Sequence, residues 1–519
     1  MFVLGLALLA SCTDLPSDSD ACAPFADLPR STASYAESDW GPLETPGRPR
    51  VVVLTDFSNE PDDAQSLVRF LAYANEFDVE GILATTSTWM SDEVDVDGVR
   101  QHVEAYGQVQ DALLVHSPGY PPVEILRSRV HACQPTYGMQ GVGAGRDSEG
   151  SDHLLRVLQR PDERPLWVSV WGGSNCLAQA LWKLTQTRTA EEVSQLVSRL
   201  RVYSIGDQDD SGACIRAAFP KLSYIVSPSR QGWLQSTHDY RSATWPGISA
   251  DHYHYSPARD FLLCPLRGGI GWSCDPAFRG PRFELVDKPW LEEHVRSHGP
   301  LGARYRETVF IMEGDTPAFL SLIGNGLAAS SRPDWGGWGG RYELARPTGE
   351  SRAIWTDAVD TVIAPDGETY TSNKATIWRW REAYQRDFAA RMDWSVERNF
   401  ADANHNPTAV VNGDRSKRPI VMNAASGECV RLSAAGSTDP DGDRLDYKWW
   451  FYPEAGDPPP TVTIERDGTQ NASLIIPEVA LPSELHIILE VRDGGAPSLR
   501  SYRRVVIRVG GVRQQSIDD

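Results

Sequence analysis

The residues best suited to chemistry come early in the chain. Asp56, Glu60, Asp62 and Asp63 fall within eight positions of the stretch VVVLTDFSNEPDDAQSLVRFL, Val51 to Leu71. Four carboxylates held this close repel one another unless protons or a cation neutralise them. Their hard oxygen atoms suit Ca2+ or Mg2+. A plainer role covers part of the pattern. Asp62 and Asp63 precede Ala64, Leu67, Val68 and Leu71, which recur at helical spacing. An aspartate at that point caps a helix and complements its dipole. Capping explains one of the pair and leaves Asp56 and Glu60 without a reason, so a metal site is the expectation.

Such groups work together only if the chain carries them to one edge. Val51 to Thr55 reads as a buried strand, followed by the acidic turn and a helix. Val79 to Trp89 is a second strand, ending in hydroxyl residues. Val99 to Tyr106 reads as a helix and Ala112 to Val115 as another strand. Leu166 to Trp171 is a strand stopped by Gly172-Gly173, and a helix runs from Ser174-Asn175 through Leu184. Arg201 to Ile205 ends in Gly206-Asp207-Gln208-Asp209-Asp210, and Thr308 to Met312 ends in Glu313-Gly314-Asp315. Apolar strands alternating with helical periods predict an α/β fold, a mostly parallel Rossmann-like sheet with helices on both faces. In that architecture the carboxyl ends of strands meet at one crevice.

Further along, residues 227–300 are rich in Trp, His and Pro and read as long loops or an insertion over the site. Ser331 to Tyr342 is a Trp/Gly loop, whose Trp335 and Trp338 either stack on sugar faces or sit in the core. Ala375 to Ala390 reads as a helix. From Ala403 the runs become short and β-like: Thr408 to Val411, Glu428 to Leu432, Leu445 to Phe451, Ala472 to Ile476, Leu485 to Val491 and Arg503 to Val509. That spacing predicts an all-β, Ig-like sandwich, in which Trp449 and Trp450 alternate between core and surface.

Composition narrows the partners. The 519 residues carry 50 basic and 70 acidic side chains, a net charge of -20, which disfavours nucleic acid. No internal apolar run is long enough to span a bilayer. Phe2 to Leu9 is a short apolar run leading into Leu9-Ala10-Ser11-Cys12, which looks like a bacterial lipobox, although no Lys or Arg precedes it. The expected layout is a signal segment over 1–12, a linker over 13–46, the α/β domain over 47–402 and the sandwich over 403–513. The expected location is outside the cytoplasm, secreted or lipid-anchored at Cys12, with membrane contact only through that anchor. Disulfides are permitted there. Cys264 and Cys274, flanking a Gly-rich loop, are the best pair by sequence. Cys176 and Cys214 read as buried free thiols, and no spacing suggests zinc.

These motifs together resemble a known family. Thr55-Asp56 through Pro61-Asp62-Asp63-Ala64 looks like the N-terminal aspartate motif of nucleoside hydrolases. TDFSNEPDDAQSLVRFL, EGILATTSTW, WGGSNCLAQAL, HGPLGARY, EGDTPAFL, DWGGWGGRYE and TIWRWREAYQRDFAARMDW look more closely like the nucleoside-hydrolase-like proteins described as cellulose-binding. SAAGSTDPDGDRLDYKWWFY is similar to the Ig-like or PKD-like domain that follows in that family. The resemblance implies a Ca2+ held at positions matching Asp56, Asp63, the Trp171 carbonyl and Asp315, with Asp62 beside them. It implies Asp56 as general base. Thr88 falls near a sugar-contacting position, and Asp207 and Asp209 near substrate-binding ones; Glu60 is a further substrate contact. Three departures point away from nucleosides: Leu54 replaces the first aspartate of the parent motif, two additional residues separate Asp56 from Asp62, and no His precedes Asp315.

The activity this implies is metal-dependent hydrolysis of a glycosyl bond in a glycan or glycoconjugate, through an oxocarbenium-like transition state. Asp207, Asp209, Glu60, His238, His252 and His254 are the candidate acids. The alternatives are a non-catalytic polysaccharide (cellulose)-binding protein and a true nucleoside hydrolase. The Asp439 to Asp443 turn either holds its own Ca2+ or is only a turn.

Overall fold

The computed structural model describes residues 22–26, 28, 35, 39, 47–227, 248, 280–307, 312–327, 330–347, 350, 352–456 and 462–510. Eight strands form one sheet: β1 Arg50–Thr55, β2 Asp78–Ala84, β3 Val130–Ala132, β4 Leu166–Val170, β5 Leu200–Ser204, β6 Ser223–Val226, β7 Tyr342–Ala345 and β8 Ile354–Asp357. Their order is β3-β2-β1-β4-β5-β6-β8-β7. Neighbours run parallel except β7 against β8.

The sequence of β1 explains its central place. RVVVLT is buried throughout. Successive strand side chains point to opposite faces. Val51 and Val53 join one apolar core and Val52 and Leu54 the other. A strand buried on both sides must be covered by helices on both sides. The chain leaves β1 outward through β2 and β3, then returns to pair β4 on the other flank of β1. That reversal makes a switch point between β1 and β4, where open α/β sheets form their crevice. Asp56 and Trp171 are the first residues beyond the two strands.

Some sequence expectations change. Ala112 to Val115 is the end of a helix, Val96–His116, rather than a strand. Val99, Val103, Tyr106, Val109 and Leu113 continue one buried stripe, which a short apolar run alone cannot reveal. The Ala375 to Ala390 helix is two, Ala375–Trp378 and Arg381–Trp394. Cys176 and Cys214 are not free: Cys133 pairs with Cys176 and Cys22 with Cys214. Cys429 is free and exposed. Cys264 and Cys274, the Thr308–Ile311 part of the fifth expected strand, His238, His252, His254 and Cys12 lie outside the described residues.

A two-stranded hairpin, β9 Asp360–Ile363 with β10 Thr369–Ser372, precedes the C-terminal region. There the strands are β11 Ile420–Ala424, β12 Cys429–Ser433, β13 Asp446–Phe451, β14 Ile464–Glu465, β15 Asn471–Ile475, β16 Ser483–Arg492 and β17 Arg500–Val509. They form a four-stranded sheet, β11-β17-β16-β13, and a three-stranded one, β12-β15-β14. Thr408 to Val411 makes only isolated bridges. Leu485, Ile487, Leu489 and Val491 of β16 fill the space between the sheets. The opposite face of the larger sheet is covered by the α/β domain. Ile488 and Tyr502 join that domain's core, and Val506 packs on Trp335. Trp449 lies in the sandwich core and Trp450 meets Trp380, ring centroids 5.7 Å apart. Trp335 and Trp338 are buried.

Candidate metal centre

The helix Pro61–Ala72 starts directly after the acidic turn, with Glu60 at its N-cap in an extended conformation and Pro61 as its first residue. Proline at that position costs the helix no hydrogen bond. Asp62 and Asp63 lie inside the first turn, where the helix dipole favours negative charge. No side chain makes the N-cap hydrogen bond. Neither aspartate is the N-cap residue, and the Asp62 carboxyl also meets the backbone of Asp62, Asp63 and Gly314.

Asp56, Asp62, Asp63 and Asp315 are all buried. One carboxylate oxygen from each of Asp62, Asp63 and Asp315 lies within 4.8 Å of the others. Asp62 Oδ1 and Asp315 Oδ2 are buried with no hydrogen-bond partner. Orphaned buried carboxylate oxygens are costly. Asp63 Oδ1 accepts from Thr55 Oγ1. Asp56 hydrogen-bonds with Ser87, Asp63 and Asn59. Gly172 leaves it room: a Cβ there would come 2.8 Å from Asp56 Oδ1.

The electrostatics follow from burial without a counter-charge. Burial pushes Asp56 up to about 6, and its hydrogen bonds, the one from Ser87 foremost, hold it lower than burial alone would. Burial, then repulsion from Asp56, pushes Asp62 up to about 7. Asp63 and Asp315 rise well above the usual carboxylate range, by burial and then by the charges of the other aspartates and Glu60. A divalent cation would supply the missing counter-charge and favour the ionised carboxylates. The donor set is all oxygen, three carboxylates converge and two of their oxygens are orphaned, so these residues fit a hard cation.

Asp315 reaches the cluster from 252 residues beyond Asp63, and the same helix fixes it. Pro61–Ala72 is almost wholly buried, so its polar side chains need partners. Gln65 Oε1 accepts from Glu313 N at 2.9 Å, and Gln65 Nε2 donates to Arg306 O at 2.9 Å. Ser66 Oγ and Thr316 Oγ1 hydrogen-bond at 3.1 Å. Arg69 forms a fully buried ion pair with Glu313, which also accepts from Tyr305 Oη at 2.8 Å and Thr316 Oγ1 at 2.8 Å. Arg69 further donates to Tyr384 O at 3.1 Å and lies 3.9 Å from the Phe388 ring centroid. Gln65, Ser66, Arg69, Glu313, Ser87 and Asn59 were not singled out in the sequence. Polar residues in a helix otherwise apolar were the available signal for the first three.

The other expected site residues divide. Glu60 is half-buried beside the cluster and repels Asp63 and Asp315. Trp171 begins the turn after β4, and its carbonyl accepts from Gln208 Nε2. Thr88 N donates to Gln208 O at 2.7 Å on the same rim. Asp207 is engaged by Arg216 through Oδ1 at 2.8 Å and Oδ2 at 2.7 Å. Asp209 accepts from Ser211 N at 2.9 Å, Asn175 N at 3.1 Å and the hydroxyls of Ser211 and Ser174, so it ties two helix starts together.

Residues 50–261 and 269–342, more than half of the chain, match the family described as cellulose-binding Sde182, nucleoside hydrolase-like domain. The chain belongs to that family. Residues 429–509 match the C-terminal domain of cellulose-binding protein Sde0182. Among solved structures, a nucleoside hydrolase-related hypothetical protein from Saccharophagus degradans, described as associated with carbohydrate metabolism, is 36% identical. It aligns over 89% of this chain and 100% of its own, with a TM-score of 0.72. The effector protein XOO4466 aligns over 68% of this chain and 96% of its own at 12% identity, and its TM-score of 0.30 is too low to bear on the fold. No curated protein matches. The Sde182-family assignment and the sheet order agree on a nucleoside-hydrolase-like α/β domain followed by an all-β domain.

Proposed function

We propose that this Sde182-family protein is a divalent-metal-dependent hydrolase of glycosyl bonds that acts on a glycan or glycoconjugate. The reading is carried by one observation: carboxylates converge at the sheet's switch point with buried oxygens that no protein donor satisfies. Asp62, Asp63 and Asp315 would hold the cation, and Ca2+ is favoured because it accepts several carboxylates at once. A cation bound there supplies a positive charge that polarises water and pairs with vicinal sugar hydroxyls.

The chain's own residues supply the rest. Asp56, hydrogen-bonded to Asp63 at the edge of the cluster, is the candidate general base. Ser87 and Asn59 orient its carboxyl, and the negative crevice stabilises positive charge developing at the anomeric carbon. Glu60, half-buried at the helix start, is the candidate acid. Thr88, beside Ser87 on the rim, is a candidate sugar contact.

A second reading, polysaccharide binding without turnover, is favoured by the cellulose-binding descriptions of both matched families. Incubating the full-length protein with a glycan panel in Ca2+ and in EDTA separates the two. Released product that disappears with EDTA and in Asp63→Ala supports hydrolysis. Retention on glycan without product supports binding alone. Full activity in Asp63→Ala rejects the metal assignment. We also propose an extracytoplasmic location, secreted or anchored at Cys12. The disulfides Cys22–Cys214 and Cys133–Cys176 support an oxidising compartment. Recovery of the protein in the cytosolic fraction with reduced thiols would reject it.

A further inference from the structure

The turn that leads from Asp56 into the acidic helix has a strained backbone. Asn59 N donates to Asp56 O at 3.2 Å, closing a four-residue turn, and Ser58, its third residue, has a φ of 83°. A turn with positive φ at that position ordinarily takes glycine or asparagine there. A residue with a Cβ is strained in that region and persists only where its surroundings hold it. Among the described residues, Ser58, Arg282, Glu313, Asn412 and Arg466 are the non-glycine residues with positive φ. Ser58 lies two positions after Asp56, and Glu313 two before Asp315. Both chain segments that bring carboxylates to the cluster therefore bend through such a residue.

Ser58 is held by its side chain. Its Oγ donates to Asp95 Oδ2 and accepts from Arg306 Nη2 at 3.4 Å. Asp95 is the N-cap of the helix Val96–His116, where its Oδ1 accepts from Gly98 N at 2.8 Å. One carboxylate thus caps a helix with one oxygen and latches the turn with the other. Phe57 docks on the same helix. Its ring meets that of His102 edge to face, centroids 4.9 Å apart, and a Cβ on Gly98 would collide with it. The Arg306 guanidinium lies 5.6 Å from the Phe57 ring centroid. Arg306 O accepts from Gln65, the side chain that also holds Glu313 N, so the two strained residues share one frame.

We propose that Ser58 is a positioning residue: latched to Asp95, it holds the Asp56 turn in its cation-receiving shape before a cation arrives. This rests on the reading of the acidic cluster as a cation site. The turn joins β1 to the helix that carries Asp62 and Asp63, so its shape sets their distance from Asp56. Without a cation these carboxylates repel one another, and a free turn would swing Asp56 away. The latch opposes that movement. Ordering is completed during folding, so binding does not bear its cost. Glycine would make the turn without strain but brings no hydroxyl to fasten it, which gives serine its reason to stand there.

The test titrates the full-length protein with Ca2+ alone by calorimetry and melts it free of metal. Ser58→Ala and Ser58→Gly each lower Ca2+ affinity about tenfold, the loss typical of an outer-shell partner. Their metal-free melting temperatures differ, Ser58→Gly melting higher, because glycine carries no penalty at positive φ. Asp95→Ser, which keeps a helix cap, lowers affinity as Ser58→Ala does, whereas Asp97→Ser, which removes a neighbouring charge outside the latch, leaves it nearly unchanged. The double variant Ser58→Ala/Asp95→Ser binds no more weakly than either single one, because both break the same bond. Wild-type affinity in Ser58→Ala and Asp95→Ser overturns the latch and leaves the cation site standing. Additive losses in the double variant, or affinities that merely follow melting temperature, overturn it as well. Wild type that binds neither Ca2+ nor Mg2+ overturns the cation-site reading, and the latch with it.

Discussion

Two of the places where this molecule buries charge treat it in opposite ways. At the seam between the α/β domain and the sandwich, Asp360 has every oxygen engaged. Oδ1 accepts from Arg341 Nε at 2.7 Å, and Oδ2 from Arg379 Nε at 3.2 Å and Tyr452 Oη at 2.6 Å. Arg504 donates there to Leu327 O at 2.7 Å, Gly336 O at 2.8 Å and His486 Nδ1 at 2.9 Å. At the crevice four aspartates are buried together, and Asp62 Oδ1 and Asp315 Oδ2 find no partner. Asp360 is satisfied as it stands, whereas the crevice aspartates are arranged for something that arrives. Burial alone does not distinguish a structural carboxylate from a functional one, but what its oxygens find does.

The comparison can be broken by mutation. The largest effect expected is in the crevice: Asp63→Ala lowers Ca2+ affinity more than about 100-fold, beyond the loss typical of an outer-shell partner, as calorimetry would show. Next come the satisfied charges. Asp360→Asn, leaving two guanidinium groups underpaired, and Arg69→Met, leaving Glu313 unpaired, should each destabilise by about 3–5 kcal/mol in chemical denaturation. Asp315→Asn in metal-free protein should be neutral or stabilising, because it removes a carboxylate that its neighbours repel. If Asp315→Asn destabilises metal-free protein as much as Asp360→Asn does, the distinction fails.

A further prediction concerns pH. Asp56 and Asp62 are raised to about 6 and about 7 in the fold, from 3.8. A raised carboxylate contributes stability that is complete below the unfolded value and lost as pH rises through the folded one. The pocket's contribution in metal-free protein therefore declines between about pH 4 and pH 7. Saturating Ca2+ should flatten the decline, seen as a thermal shift that grows with pH. A Ca2+ effect of equal size at pH 4.5 and pH 7.5 would contradict it. The smallest effect is at Ser87. Ser87→Ala removes a hydrogen bond that lowers Asp56, so the acid limb of the kcat/KM profile should move upward by less than about one unit.

Much of this was legible in the sequence because the signals were local. VVVLT, LWVSV and RVYS are short, β-branched and bounded by turn residues, and all became central strands. The acidic turn announced itself by density. What stayed hidden was long-range. Nothing local says that Arg69 pairs with Glu313 244 residues away, or that Asp207 answers to Arg216 and Glu350 to the same guanidinium. Cysteine pairing was equally opaque, since spacing does not determine connectivity. Cys176 and Cys214 looked like core thiols because they sit among apolar residues, and they do, each beside a partner far off in sequence. The helix ending at His116 was missed because Ala112 to Val115 is too short to show a period.

One feature of the seam bears on how this protein can be handled. Because Ile488, Tyr502 and Tyr452 belong to the same apolar core as Phe70 and Trp171, the sandwich is no detachable cassette. A cut near residue 403 would bare Trp380 on one fragment and a sheet face on the other, so shuffling this module onto foreign enzymes, or expressing either half alone, invites aggregation.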